Sequence, residues 1–223
     1  MNDLVDRRNE EKERRRAEIL DAAEAVAASE GWDDMTMDQV ARRARLSRAL
    51  LYVYFTDKTD LLFGVGERAM SILMQRCSEG AARHQGGIAQ LEAIARAYVA
   101  FSQEFPVYFG VLARCELRSP TDANPESNEG ECARNGDALQ SMIVNTLETG
   151  MRDGSIRADA GQPAAVAIVL WGFLHGVIQL SASKANLVGR RGVSIRNLLD
   201  QGLILASRSV AVTPRSPSAK RGI

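Results

Sequence analysis

The chain of 223 residues holds three cysteines, two histidines and only 5% aromatics, and its charges cancel, 28 basic against 28 acidic. Each shortage excludes something. Cys77, Cys115 and Cys132 are odd in number and lack C-x-x-C spacing, which argues against a disulfide framework or zinc site and suits a reducing compartment. Two histidines, with no E-x-x-H pairing and no serine or cysteine elbow, leave catalysis without a constellation; neither a metal nor a cofactor is expected. Zero net charge gives no global attraction to nucleic acid. The first 63 residues are even mildly acidic, with 14 Asp and Glu against 11 Lys and Arg, so a DNA-binding case must rest on local placement. The N-terminal MNDLVDRRNEEKERRR has no apolar core of the signal-peptide kind. One stretch, PAAVAIVLWGFLHGVIQL, approaches membrane-spanning length. It carries His175 and Gln179, and no second such segment exists, so it reads as a buried helix of a soluble, cytoplasmic protein.

What is present is helical periodicity, without strand alternation, repeats or a glycine-rich phosphate loop. Ile19, Ala22, Ala23, Val26 and Ala27 share one face of a first helix that Gly31 stops. Thr36 and Gln39 have capping-box spacing for a short helix to about Ala44. Ser47 caps a second short helix through Val53 or Tyr54. Thr56 or Asp57 starts a long one, Lys58 to about Ala82, and Gly86-Gly87 breaks the chain after it. Phe105-Pro106 marks a junction between two more helices. SPTDANPESNEGECARNGD reads as a polar connection. Helices return over about 133–151 and 163–184 and through SIRNLLDQGLILASRSV. The expectation is an all-α chain of about nine helices in two domains, 1–63 and 64–213, with a disordered tail at 214–223.

Residues 36–55 have the size of a helix-turn-helix, in which the second helix presents its N-terminal turn to a groove. Val40, Ala41, Ala44, Leu46, Leu51 and Phe55 form an apolar seam. Arg42, Arg43, Arg45, Arg48, Tyr52 and Tyr54 fall mostly outside it, where guanidinium forks and tyrosine hydroxyls suit phosphate oxygens. The same arginines also fit a merely solvated face. The leader RRNEEKERRR fits either a minor-groove arm or a solvated helix start.

From I-L-x-A-A at 19–23 through Gly31 to T36-M-D-Q-V-A-R-R-A-R-L-S-R-A-L-L-Y-V-Y-F-T-D-K-T-D-L-L62, the sequence resembles the TetR family of bacterial transcriptional regulators. The resemblance implies an operator-binding N-terminal domain and a variable helical domain that binds a small molecule and dimerises. By position it implies DNA contact for Thr36, Arg45, Ser47, Arg48, Leu50, Tyr52, Tyr54 and Lys58. Three features depart from the family pattern. Arg45 replaces a glycine in a turn that often needs a left-handed residue, at about 1–2 kcal/mol. Ala49-Leu50 replaces a small and hydroxyl-bearing pair, which leaves Leu50 to meet a thymine methyl or to pack. Val53 stands where polar or aromatic residues are common.

The larger domain is expected to hold the dimer surface and the effector. The helix VAIVLWGFLHGVIQL is apolar all round and needs cover on several sides. Gly172 and Gly176 permit close approach, and Ile195, Leu198, Leu199, Gly202, Leu205 and Ala206 share a face of the last helix. These two helices resemble a dimerisation pair, giving four helices across a two-fold axis. Met70, Met74, Tyr98, Phe101, Phe105, Tyr108, Phe109, Leu112, Trp171, Phe173 and His175 are candidate pocket residues, though each equally suits a core. The expected function is a homodimeric repressor released from a palindromic double-stranded operator by a largely apolar small molecule. A DNA-binding dimer without an effector is the alternative, and a helical-bundle enzyme a remote one.

Overall fold

The computed structural model describes residues 2–118 and 124–212, with side chains from residue 6 onward; the tail expected at 214–223 lies outside them. Ten helices run α1 Asn2–Glu30, α2 Met37–Arg43, α3 Arg48–Tyr54, α4 Lys58–Ala82, α5 Gly87–Glu104, α6 Pro106–Glu116, α7 Asn128–Asp153, α8 Pro163–Ser183, α9 Ala185–Arg190 and α10 Ile195–Val210. The all-α expectation holds: among the described residues the sole β feature is an isolated Ile156–Ala211 bridge. The tenth helix is α9, six residues long and not foreseen. A second difference is the start of α7, five residues before the expected 133. Ser127 makes it possible, its hydroxyl accepting from Gly130 N at 3.1 Å. Glu129 and Glu131 add negative charge in the first turn, which favours the partial positive end of a helix.

The chain forms two compact units, one joining Met1–Ile72 with Glu104–Gly136, the other joining Leu73–Gln103 with Asp137–Ile223. This division differs from a single cut after residue 63. In the first unit, Val111 and Cys115 of α6 and Cys132 of α7 belong to the same buried cluster as Leu20, Val40, Leu51 and Phe55. A long-range apolar contact of this kind leaves no mark in local periodicity. The predicted seam is present, with Val40, Ala41, Leu51 and Phe55 buried and Ala44 and Leu46 packed against them. Arg68 of α4 ties the unit to α1, reaching Asp21 at 2.6 Å and Glu24 at 2.8 Å.

In the second unit, α5 and α7 meet where neither has a side chain to spare. A methyl group on Gly87 would stand 2.1 Å from the Gly150 nitrogen, and one on Gly150 2.5 Å from Ile156 Cδ1. Helix α8 buries Ala167, Leu170, Leu174 and Ile178, a stripe at helical spacing. It packs on α10, where a methyl group on Gly202 would stand 3.2 Å from Val177 Cγ1. Its other face is bare: Ile168 is 58% and Val169 67% exposed, and nothing lies within 4 Å of where a Cβ would sit on Gly172 or Gly176. The all-round cover expected for this helix is therefore not met within one chain. By length and composition α8 is also the one helix among the described residues that could cross a membrane.

Candidate functional site

The first unit builds an exposed edge from two short capped helices. Thr36 Oγ1 accepts from Gln39 N at 3.3 Å while Gln39 Oε1 accepts from Thr36 N at 2.7 Å, the reciprocal capping box the spacing predicts. Ser47 Oγ accepts from Leu50 N at 3.2 Å and opens α3. Between them Arg45 has φ of 57°, the one positive φ at a non-glycine among the described residues. Leu46 N donates to Ala41 O and Arg45 N to Arg42 O, so Arg45 occupies the left-handed position of a Schellman cap. The strain expected there is real. Replacing Arg45 with Gly should raise the unfolding free energy by about 1 kcal/mol, since glycine adopts this conformation without a Cβ penalty. Urea denaturation checks it; an unchanged or lowered midpoint would show that the turn is not strained.

Helix α3 buries Leu51, packs Tyr54 partly against the core and turns the rest out. Leu51 is wholly buried, whereas Leu50 and Tyr52 are 38% and 39% exposed and Val53 77%. Arg48, Ala49 and Arg45 are exposed, and Tyr54 is half-buried. The Arg48 guanidinium lies 5.6 Å over the Tyr52 ring and pairs with Asp38 at 3.2 Å, both ends open to solvent. Such a solvent-exposed pair contributes little, so a phosphate can replace Asp38. Asp57 caps α4, accepting from Thr59 N and Asp60 N at 2.7 and 2.8 Å. This sets Lys58 on the first turn, where its Nζ donates to the Asp33 carbonyl at 2.8 Å. Asp33 is itself held by Arg114 at 2.7 Å, which keeps its carboxyl below the ordinary range. The expected DNA residues therefore share one unit, with Thr36 and Ser47 acting also as caps. In the leader, Arg14 and Arg15 pair with Glu11 and Glu18 on the same helix, an arrangement that fits the solvated reading.

A cavity of about 500 Å³ lies in the second unit, among α4, α5, α7, α8 and α10. Leu91, Ile94, Leu139, Ile143, Leu170 and Leu174 make most of its wall, with Cys77 between them. Burial pushes the Cys77 thiol up to about 12, so it remains an inert apolar group. Polar groups gather at one part of the lining, where Glu92 accepts from Ser207 at 2.7 Å and pairs with Arg96 at 3.4 Å. Arg208 stands beside them.

Of the expected pocket residues, Tyr98 and Trp171 line this cavity. His175 sits behind Tyr98, 2.8 Å from its hydroxyl, and Gln179 Nε2 lies 3.3 Å from the other ring nitrogen. Burial lowers the His175 pKa from 6.5, so the ring is neutral at pH 7. The Tyr98 hydroxyl and the Gln179 amide thus occupy the two ring nitrogens. Met74 and Phe101 belong to the second unit outside the lining, and Phe173 lies on the bare face of α8. Met70, Phe105, Tyr108, Phe109 and Leu112 fall in the first unit. There the Tyr108 hydroxyl donates to Glu24 at 2.9 Å. Sequence reasoning favoured methionine and aromatic residues and missed the leucine and isoleucine wall, as well as every contribution from α10. The Glu92–Arg96 spacing was the one available clue.

An exposed second helix after a tight turn, anchored by a buried first partner and capped at both starts, defines a helix-turn-helix DNA-binding regulator. Comparison with known proteins gives the family. Residues 19–65 match the model of bacterial regulatory proteins of the tetR family, and residues 91–202, half the chain, match the tetracyclin repressor-like C-terminal domain. The chain belongs to the TetR family and is a regulatory protein, not an enzyme. The transcriptional regulator HbdR of Aromatoleum sp. (strain CIB) is 43% identical over 51 residues, a stretch covering 23% of this chain and 22% of HbdR. A tetR-family regulatory protein from Rhodococcus RHA1 shares the fold, with a TM-score of 0.69 at 19% identity over 90% of this chain and 98% of that one. FadR from Bacillus subtilis, solved with stearoyl-CoA, gives 0.67 at 16% over 86% and 98%.

Proposed function

We propose that the protein is a homodimeric, cytoplasmic repressor that leaves a palindromic operator when an apolar small molecule enters the cavity of its second unit. Residues 1–63 read DNA through Arg48, Tyr52, Tyr54 and Lys58, with Thr36, Arg45, Ser47 and Leu50 beside them, while 64–213 bind effector and partner copy. Two recognition helices in successive major grooves lie about 34–36 Å apart. An effector that binds better to a spacing unlike this lowers operator affinity by its differential binding energy. The observation that carries the reading is the cavity of about 500 Å³, within the range of small-molecule sites and mostly apolar with a few converging polar groups. A regulator without an effector has no use for it. FadR's complex with stearoyl-CoA supports an apolar occupant within this family.

The test has two stages. Selection from a random duplex pool should yield a palindromic site. Apolar compounds that change Trp171 fluorescence should then release that duplex, and Ala95→Phe, which fills the cavity, should keep DNA binding while losing release. A protein that selects no sequence sinks the DNA-reading half. Release that persists in Ala95→Phe sinks the effector half.

A further inference from the structure

The first unit contains a pair of thiols that DNA reading does not use. Cys115 near the end of α6 is 3% exposed and Cys132 in the second turn of α7 is 7% exposed. Both sulfurs converge on Gly66 of α4: a methyl group there would stand 2.7 Å from Cys115 Sγ and 3.4 Å from Cys132 Sγ. The absent side chain is what makes room for them. The two sulfurs lie close enough to perturb each other strongly, and the Cys115 thiol donates to the Leu62 carbonyl of α4 at 3.9 Å. Cys77, by contrast, lies in the other unit and hydrogen-bonds only weakly, at 3.9 Å, to Ile94 O.

We propose that Cys115 and Cys132 form a redox pair which a hydroperoxide converts to a disulfide inside the DNA-binding unit. Two thiols that converge on one glycine need only a limited approach to reach the ~2.05 Å of a sulfur–sulfur bond. The roles divide by environment. The neighbouring Cys115 thiol holds the Cys132 thiol below its ordinary value, against burial and the carboxylates of Glu67, Glu116 and Glu129. The neighbouring Cys132, with burial, pushes Cys115 up. Cys132 is therefore the attacking sulfur, because the thiolate is the nucleophile. Its thiolate takes the terminal oxygen of the hydroperoxide, the O–O bond breaks, and the alkoxide or hydroxide leaves with a proton to give alcohol or water. The Cys132 sulfenic acid is attacked by the Cys115 sulfur, the S–S bond forms, and water departs with the Cys115 proton. Two thiols are oxidised and one peroxide is reduced. The product is a covalent tie between α6 and α7 directly beneath α4, the helix that carries Lys58.

The full chain, reduced and freed of reductant, should be treated with hydrogen peroxide and mapped as peptides without reduction. The expected result is one linked peptide pair, Cys115 with Cys132, Cys77 remaining a thiol, and full reversal by dithiothreitol. Cys115→Ser should accumulate a dimedone-trapped sulfenic acid on Cys132, while Cys132→Ser should leave Cys115 as thiol. Because the wild-type map decides by itself, a variant that fails to fold does not protect the proposal. Three surviving thiols under peroxide that fully oxidises glutathione, or linkage involving Cys77, would overturn it.

Discussion

Replacing Tyr52 with Phe and Lys58 with Ala together should weaken binding to the selected duplex by at least about tenfold at moderate salt, with no loss of fold. Tyr52 stands on the outer face of α3, 39% exposed, its ring under the Arg48 guanidinium. Lys58 opens α4 and spends its ammonium on a main-chain carbonyl, that of Asp33. A phosphate is a better partner for an ammonium than a neutral carbonyl, because both members are then charged. The two substitutions separate by salt. Each neutralised phosphate contributes about 0.9 to the slope of log affinity against log salt. Lys58→Ala should thus lower the slope by about 2 for a dimer, while Tyr52→Phe, which removes no charge, should cost affinity with the slope unchanged. Fluorescence anisotropy over a salt series reads both numbers. Wild-type affinity in the double variant would remove both residues from the DNA contact.

The second large effect is expected at the bare face of α8. For the homodimer proposed above, Val169→Glu should leave a monomer of 24.3 kDa, read by sedimentation, and should lower operator affinity by about 100-fold or more. Val169 is 67% and Ile168 58% exposed, and Phe173, Ile204 and Leu205 add to the open apolar surface of α8 and α10. Open apolar surface of this kind marks an interface. A two-fold axis places each residue opposite its own copy or a near neighbour, so one carboxylate per chain becomes two in a dry contact. The loss on DNA follows because linked half-site binding gains ~10²–10⁴ over a single module. Val169 touches little within its own chain, so thermal unfolding of the monomer should remain cooperative. Persistence of the wild-type mass in Val169→Glu would move the interface elsewhere.

Much of the reading edge was legible because its determinants are local. A capping box needs only Thr36 and Gln39 at the right spacing, and Ser47 and Asp57 act on amides two or three residues away. The Arg45 turn was legible for the same reason: the left-handed cap is a property of one residue and its immediate hydrogen bonds. The start of α7 was not, because Pro125, Ser127 and Gly130 around it resemble a loop and the cap at Ser127 prevails over them. The pocket residues were least legible. A leucine facing a cavity and a leucine facing another leucine have the same neighbours in sequence.

By itself, then, the sequence determined the helical class, the caps and the outward set of Arg48, Tyr52 and Lys58, since these depend on contacts within a few residues. Only tertiary structure decided which unit each aromatic joins, where the cavity opens and which face of α8 stays bare. It also brought Cys115 and Cys132 together over Gly66. All of these arise from packing between helices far apart in the chain, and periodicity within one helix carries no record of what the neighbouring helix presents.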